Sequence, residues 1–348
     1  MSTAVCDRTT RLAQLLADSS VGSSLLLGQS LARFNTYRTG GPAKLMLTVN
    51  DLADLITVAR AIVREAVEAG VSAAPVLVLG RGSNLLVADR GFDGLVVMLG
   101  DGFQRFQIDN TENAIREDVE TNDTAEEDVA TKDAVEVTAG GGVRMPVLAR
   151  ACADAGLSGF EWAVGVPGTV GGAVRMNAGC HGSDISEVLV SVDVFDLESG
   201  LVSTLRPSDL DLDYRKSNLS TYQVVISVKL QLTRTDRGTV LDNLFAVVNR
   251  RKTNQPSGRN AGSVFVNPPN DSAGRLIESA GGKGLRNATA EVSSKHANFI
   301  QVDKGGCSRD VLSLMIELHN RVLDVYDLSL DVETRLVGFS PEEVQALR

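Results

Sequence analysis

Gly80-Arg81-Gly82-Ser83-Asn84 follows the apolar run Val76–Leu79, and it is the first place where the backbone itself could do chemistry. Glycines there permit positive φ and leave successive N–H groups unobstructed, so the loop can form a concave nest for a diphosphate. It is not a Rossmann fingerprint: Leu85 stands where the third glycine belongs, and the chain continues as strand rather than helix. Gly, Ser and Asn also build plain tight turns. A second segment, Trp162 to Gly179, carries glycines at 165, 168, 171, 172 and 179 together with Pro167. Backbone this bare can approach a large flat ligand and its phosphates, although a glycine-rich loop packed on a core reads the same way. Two such segments in one chain favour a dinucleotide-like cofactor.

Three side chains are candidates for chemistry. Ser263, in Asn260-Ala-Gly-Ser-Val-Phe-Val-Asn-Pro268, has no nearby base and is a poor nucleophile, but it could deliver a proton. Glu333 and Arg215 (in Asp213-Tyr214-Arg215) also read as a solvated strand residue and a surface charge at a turn. Only His181, His296 and His319 are present, too little for a His-rich metal site or a His-based triad, so no metal is expected.

The elements that must position these residues follow from periodicity. Residues 51–69 place Leu52, Leu55, Ile56, Ala59, Ile62, Val63 and Val67 at helical spacing, with Gly70 as a stop. Strands are predicted at 76–80 and in two runs around a turn over 84–99, then a short helix over 146–155 between Pro146 and Gly156. Alternation over 222–232 predicts a half-buried strand with Val224, Ile226, Val228, Leu230 and Leu232 on one face. Helices are predicted at 240–252 and 309–326, the latter with Ser308 as N-cap. The last strand puts Leu328, Leu330, Val332, Thr334 and Leu336 on one face, and Asp331, Glu333 and Arg335 on the other.

The chain has 348 residues and a formal net charge of −10, with 43% hydrophobic and 22% charged residues. This is about two domains of ordinary globular composition. Ten acids and two bases fall within 109–133, a composition unable to bury enough apolar surface to order itself, read as a solvated loop insertion. Removing its −8 leaves −2 for the rest, so an anionic substrate is compatible with the body of the protein. No clustered basic stretch suggests nucleic acid. Cys6, Cys152, Cys180 and Cys307 read as free thiols, and no apolar run is long enough to span a membrane, which together predict a cytoplasmic protein without membrane insertion.

In this order, the segments Asn35-Thr-Tyr-Arg-Thr-Gly-Gly41, Gly80–Asn84, Gly165-Val-Pro-Gly-Thr-Val-Gly-Gly172, Met176-Asn-Ala-Gly179, Asp213-Tyr-Arg215, Ala261-Gly-Ser-Val-Phe265, Lys295-His-Ala-Asn-Phe299 and Glu333-Thr-Arg335 resemble the UDP-N-acetylenolpyruvoylglucosamine reductase family. The resemblance implies a mixed α+β and α/β fold: a two-lobed FAD-binding unit of the vanillyl-alcohol-oxidase (PCMH) type, then a smaller substrate-binding domain. The expected division is an extension over 1–29, lobes over 30–101 and 102–233, and a substrate domain over 234–348. Implied cofactor contacts are Tyr37, Gly80, Arg81, Gly82, Ser83, Asn84, Pro167, Gly168, Gly171, Gly172, Asn177 and Gly179.

The resemblance also implies a reaction. NADPH reduces FAD, and the reduced flavin passes a hydride to the enolpyruvyl double bond of the UDP-sugar. Arg215 faces the substrate carboxylate, Glu333 is the acidic member with a raised pKa, and Ser263 protonates the enolate. Tyr214, Lys252, Asn267 and His296 are implied substrate contacts. Only 48 residues separate Arg215 from Ser263, which leaves no room for a tyrosine capping loop and marks the family's shorter type. Asn254 stands where the family commonly has a diphosphate-binding lysine. A monomer is expected. Rival readings are another flavin oxidoreductase on the same fold, acting on a small hydroxy acid or alcohol, and an idle FAD- or nucleotide-binding module.

Overall fold

The computed structural model describes residues 8–70, 72–109, 133–180 and 182–347. Contacts divide them into two compact units: one takes the chain up to Met98, Leu197–Gly200 and everything from Arg251 onward, the other Leu99–Asp196 and Leu201–Arg250.

The first unit begins with α1 (Arg8–Ala17), β1 (Leu25–Ser30), β2 (Pro42–Val49), α2 (Leu52–Ala69), β3 (Val76–Val78), β4 (Leu85–Val87) and β5 (Phe92–Leu99). A four-stranded sheet runs β1-β2-β5-β3, with β1 antiparallel to β2 and β3 parallel to β5. Residues 8–29, which the sequence reading leaves outside the lobes, thus supply a helix packed on α2 and most of an edge strand. α2 forms where its periodicity predicts. The Asp51 carboxylate accepts from the Asp54 N–H at 2.9 Å, and Gly70 ends the helix at φ 65°, a left-handed conformation that glycine adopts without a Cβ penalty. Val63 and Val67, read as part of the apolar face, are exposed, and the helix buries Val58 and Ala61 instead.

The second unit contains β6 (Phe106–Ile108), β7 (Ala134–Gly140), α3 (Met145–Asp154), β8 (Leu157–Ser158), α4 (Val170–Arg175), β9 (Gly179–Cys180), β10 (Ser183–Asp184), β11 (Leu189–Asp196), β12 (Val202–Leu205) and β13 (Gln223–Arg234), followed by α5 (Arg237–Asn254). Its sheet runs β12-β11-β13-β7-β6, with β8 on the end of β13. The alternation that predicted β13 holds over its second half, where Val228, Leu230 and Leu232 are buried and Lys229 and Gln231 exposed; earlier, Val225 of the expected outer face is buried and Ile226 of the inner face only half-buried, because pairing with β11 shifts register between Asp193 and Val194. α3 and α4 cover this sheet, with Leu148, Cys152, Val170 and Val174 in the same core as Val137 and Val228. β6 and β7 pair antiparallel, Ile108 opposite Val137, so the acidic insertion joins two neighbouring strands. Residues 110–132 themselves lie outside the described residues.

The first unit resumes with α6 (Ala273–Ser279), β14 (Arg286–Asn287), β15 (Ala290–Val292), β16 (Ile300–Val302), α7 (Ser308–Tyr326) and β17 (Arg335–Val337). β14-β15-β16 form an antiparallel sheet against α7. The predicted Ser308 cap is corrected. Ser308 is the first helical residue, fully buried, and its hydroxyl donates to Thr39 Oγ1 at 2.8 Å. The cap comes from far away in sequence: the Asp89 carboxylate accepts from the N–H groups of Ser308 (2.9 Å) and Arg309 (3.0 Å). A carboxylate also suits the positive end of the helix dipole. The predicted final strand shrinks to β17, which pairs parallel with β4 in the register Arg335 to Leu85.

Candidate active site

In the first unit, the glycine loop turns between β3 and β4 with Gly82 at φ 57°. A Cβ on Gly82 would lie 2.3 Å from the Phe34 carbonyl oxygen, so only glycine fits under the Asn35–Gly41 segment. The Thr36 N–H donates to the Gly82 carbonyl at 3.2 Å, fixing the loop's inner side. None of the backbone N–H groups from Gly80 to Asn84 donates to a protein acceptor among the described residues. That is the donor row a diphosphate needs.

The loop is tied to the Glu333 segment 249 residues away. Asn84 Nδ2 donates to the Glu333 carbonyl at 3.1 Å, and the Arg335 N–H donates to the Asn84 carbonyl at 3.0 Å. On its other side the same segment meets the Ser263 loop. The Glu333 N–H donates to the Val264 carbonyl at 2.9 Å, the Val266 N–H to the Asp331 carbonyl at 2.8 Å, and Phe265 bridges Val332. Ser263, Glu333 and the glycine loop are therefore brought together by backbone register. Ser263 and Glu333 are both half-buried.

Asn298 holds the Ser263 loop from beneath. Its buried side-chain amide accepts from the Phe265 N–H at 3.0 Å and donates to the Phe265 carbonyl at 2.8 Å, while its own carbonyl accepts from Val264 at 2.9 Å. Sequence reading quoted Asn298 within a motif and gave it no task; the side chain's partner lies 33 residues away, where no local pattern points. Arg335 was also left without a role. It is half-buried, with no hydrogen-bond or ion-pair partner for its guanidinium among the described residues, and burial lowers its pKa below the ordinary arginine value.

The remaining expected residues of this unit are placed as follows. Tyr37 is fully buried in the core with Ala261, Val264 and Phe265, so its ring packs beneath the Ser263 loop rather than lining an open surface. Burial pushes its phenol well above the usual range. Arg81 is exposed. His296 is half-buried against Phe299, with ring centroids 4.8 Å apart, and its Nδ1 accepts from the Asn298 N–H at 3.3 Å. Burial lowers its pKa below the ordinary histidine value. The side-chain carbonyl of Asn267 accepts from the Ala273 N–H at 3.0 Å, and the Lys252 carbonyl accepts from Lys295 Nζ at 2.7 Å.

The second unit carries the other residues. Gly171 lies where a Cβ would be 3.0 Å from the Gly141 carbonyl, and Thr169 caps α4 by accepting from the Gly172 N–H at 3.3 Å. The N–H groups of Gly168 and Thr169 donate to no protein acceptor among the described residues, and Pro167 beside them is exposed. Asn177 is buried at φ 37°; its Nδ2 donates to the Asp213 carbonyl (3.2 Å) and to Asp184 Oδ2 (3.3 Å), while its Oδ1 finds no partner. A Cβ on Gly179 would sit 2.3 Å from the Ser183 carbonyl. The Gly179 carbonyl accepts from Arg215 at 2.7 Å. Arg215, at φ 57°, lies over the Tyr214 ring with 4.9 Å between guanidinium carbon and ring centroid. Asn177 bonded to Asp213, Arg215 bonded to Gly179 and the Tyr214 ring under the Arg215 guanidinium thus meet at one strained turn.

Among the described residues no group of His, Cys, Asp and Glu could hold a metal ion, and no helix is long and apolar enough to cross a membrane.

Comparison with known proteins places the chain in a family. Residues 48–206 match the FAD binding domain family, and residues 253–337 match the C-terminal domain of UDP-N-acetylenolpyruvoylglucosamine reductase. The chain accordingly combines an FAD-binding domain with a C-terminal domain of the UDP-N-acetylenolpyruvoylglucosamine reductase type. The UDP-N-acetylenolpyruvoylglucosamine reductase of Heliobacterium modesticaldum is 37% identical over 91% of this chain and 91% of its own. That of Bacillus subtilis is 33% identical over 94% of this chain and 98% of its own. The crystal structure of the Thermus caldophilus enzyme superposes with a TM-score of 0.69 at 33% identity, covering 90% of this chain and 98% of that one. Similarity of this extent makes the chain a member of the UDP-N-acetylenolpyruvoylglucosamine reductase family of FAD-containing oxidoreductases.

Proposed function

We propose that the protein reduces the enolpyruvyl group of UDP-N-acetylenolpyruvoylglucosamine to UDP-N-acetylmuramate, using NADPH, in peptidoglycan precursor synthesis. The observation that carries this reading is the backbone register that sets the Ser263 loop against the Glu333 segment and ties that segment to Asn84 of the glycine loop.

The residues present fit FAD. The unused N–H groups of Gly80–Asn84 and of Gly168 and Thr169 suit its diphosphate, and Pro167, Gly171, Gly172, Asn177 and Gly179 leave backbone close to it, with the unpartnered Asn177 Oδ1 able to accept from the cofactor. When bound, FAD supplies a hydride, taken from NADPH, to the terminal vinyl carbon of the substrate. Negative charge then develops on the neighbouring carbon and its carboxylate. Arg215 binds that carboxylate with its planar fork. Glu333 acts as the acidic member beside it. Ser263 donates its hydroxyl proton to the neighbouring carbon, completing addition of H⁻ and H⁺ across the double bond. An enolate is basic enough to take a proton from serine without an activating base. Tyr214, Asn267, His296 and Lys252 contact the sugar nucleotide.

The test is NADPH oxidation by the purified flavin-loaded protein. The reading expects rapid oxidation that depends on UDP-N-acetylenolpyruvoylglucosamine. A yellow protein that leaves NADPH unoxidised in its presence overturns it.

A further inference from the structure

An open surface depression of about 510 Å³ in the first unit is lined by Ala32, Arg33, Thr36, Arg38, Gly258 and Arg259, with Arg33 and Arg38 exposed. Three of these six residues are arginines and none is acidic. The guanidinium of Arg38 donates to the Arg33 carbonyl at 2.7 Å, and that of Arg259 to the Asp303 carbonyl at 3.0 Å. Both contacts are to neutral oxygens. The Asp303 carboxylate is engaged by Arg286. The Arg33 side chain makes no bond among the described residues, and none of the three arginines has an ion-pair partner there.

Three like charges around one depression repel one another, and other guanidinium groups of this protein are neutralised by carboxylates, as at Arg275 with Asp271 and Arg237 with Asp154. Arg38 is held in place at a strained backbone angle, φ 60°, within a segment locked to the glycine loop by the Thr36–Gly82 bond. Arg259 is fixed because the Val302 N–H donates to its carbonyl at 3.0 Å. Two of the guanidinium groups are thus fastened through one N–H each, with further donors remaining and no counter-charge. This is the donor chemistry that recognises phosphate oxygens.

We propose that Arg33, Arg38 and Arg259 form a binding site for a phosphate group. The group could be carried by the nicotinamide dinucleotide, by a sugar nucleotide, or by a free phosphate anion; the chemistry of recognition is the same. The site stands independently of the reaction proposed above, because its primary readout is binding.

Calorimetric titration of the FAD-loaded protein with inorganic pyrophosphate, at low salt, is the direct test. One pyrophosphate is expected to bind per chain, more weakly as salt rises. Arg33→Gln, Arg38→Gln and Arg259→Gln are each expected to weaken it roughly tenfold, with the corresponding lysine variants partly restoring it. Arg33→Gln is the safest variant, since that side chain makes no bond in the fold among the described residues. Failure of the wild-type protein to bind millimolar pyrophosphate overturns the proposal, as does a triple variant that binds as tightly as wild type. Steady-state kinetics of the same variants names the source: a raised KM for NADPH points to the dinucleotide and a raised KM for the UDP-sugar to the sugar nucleotide. Lost pyrophosphate binding with both constants unchanged points to a free anion.

Discussion

The side-chain amide of Asn298 bonds both backbone groups of Phe265, two residues past Ser263. Asn298→Ala leaves a buried donor and a buried acceptor unpaired, at about 1–3 kcal/mol each. The expected result is a melting temperature lowered by several degrees, together with a lower kcat because the Ser263 loop loses its anchor. Asn298→Asp keeps the acceptor but sets a second carboxyl oxygen against the Phe265 carbonyl in a buried site, so it is expected to be no more stable than Asn298→Ala while that carboxyl is ionised. His296 makes a prediction about pH. Its pKa is lowered in the fold, so below the ordinary histidine value of about 6.5 the unfolded chain binds the proton more readily and the native state loses ground. Above that pH its contribution is complete. The difference in urea midpoint between wild type and His296→Gln is therefore expected to shift against wild type as pH falls from about 7 toward 5, and to stay flat above 7. Cys152 is a third case: burial pushes its thiol up to about 12, so alkylation at mildly alkaline pH is expected to spare it until denaturant is added.

At the scale of elements, much of the architecture is written locally. α2 is specified by its apolar spacing, the Asp51 cap and the Gly70 stop, all within twenty residues, and the second half of β13 by alternation. What sequence reading misses comes from partners distant in the chain. The cap of α7 is Asp89, 219 residues before Ser308, and no pattern around Ser308 reveals it. Asp89→Ala is expected to cost about 1 kcal/mol, read as a lower urea midpoint, and Ser308→Ala to disturb the Thr39 contact without uncapping the helix. The predicted strand over 328–336 is regular only at β17, because residues 331–334 bond to the Ser263 loop instead of a straight neighbour. The candidate site follows the same division. Its glycine motifs are legible as types and spacing, whereas the bonds from Asn84 to Glu333 and from Asn298 to Phe265 arise only on folding. Gly82→Ala is expected to abolish flavin retention, since both its positive φ and the 2.3 Å approach to Phe34 exclude a side chain.

At the scale of the whole molecule, the acidity of the chain is concentrated in one insertion, and the strands on either side of it pair as neighbours. Replacing residues 109–133 by a short glycine-containing turn is expected to leave flavin content intact and Michaelis constants within about twofold, because the −2 that remains is close to neutral. The account as a whole rests on a division of labour in which Ser263 serves only the second half of the reaction. Stopped-flow measurement of both half-reactions in Ser263→Ala tests that most directly. NADPH should reduce the flavin at the wild-type rate, while reoxidation by UDP-N-acetylenolpyruvoylglucosamine should slow by roughly 10²–10⁴-fold. Reoxidation at a near wild-type rate, or equal slowing of both halves, would contradict it.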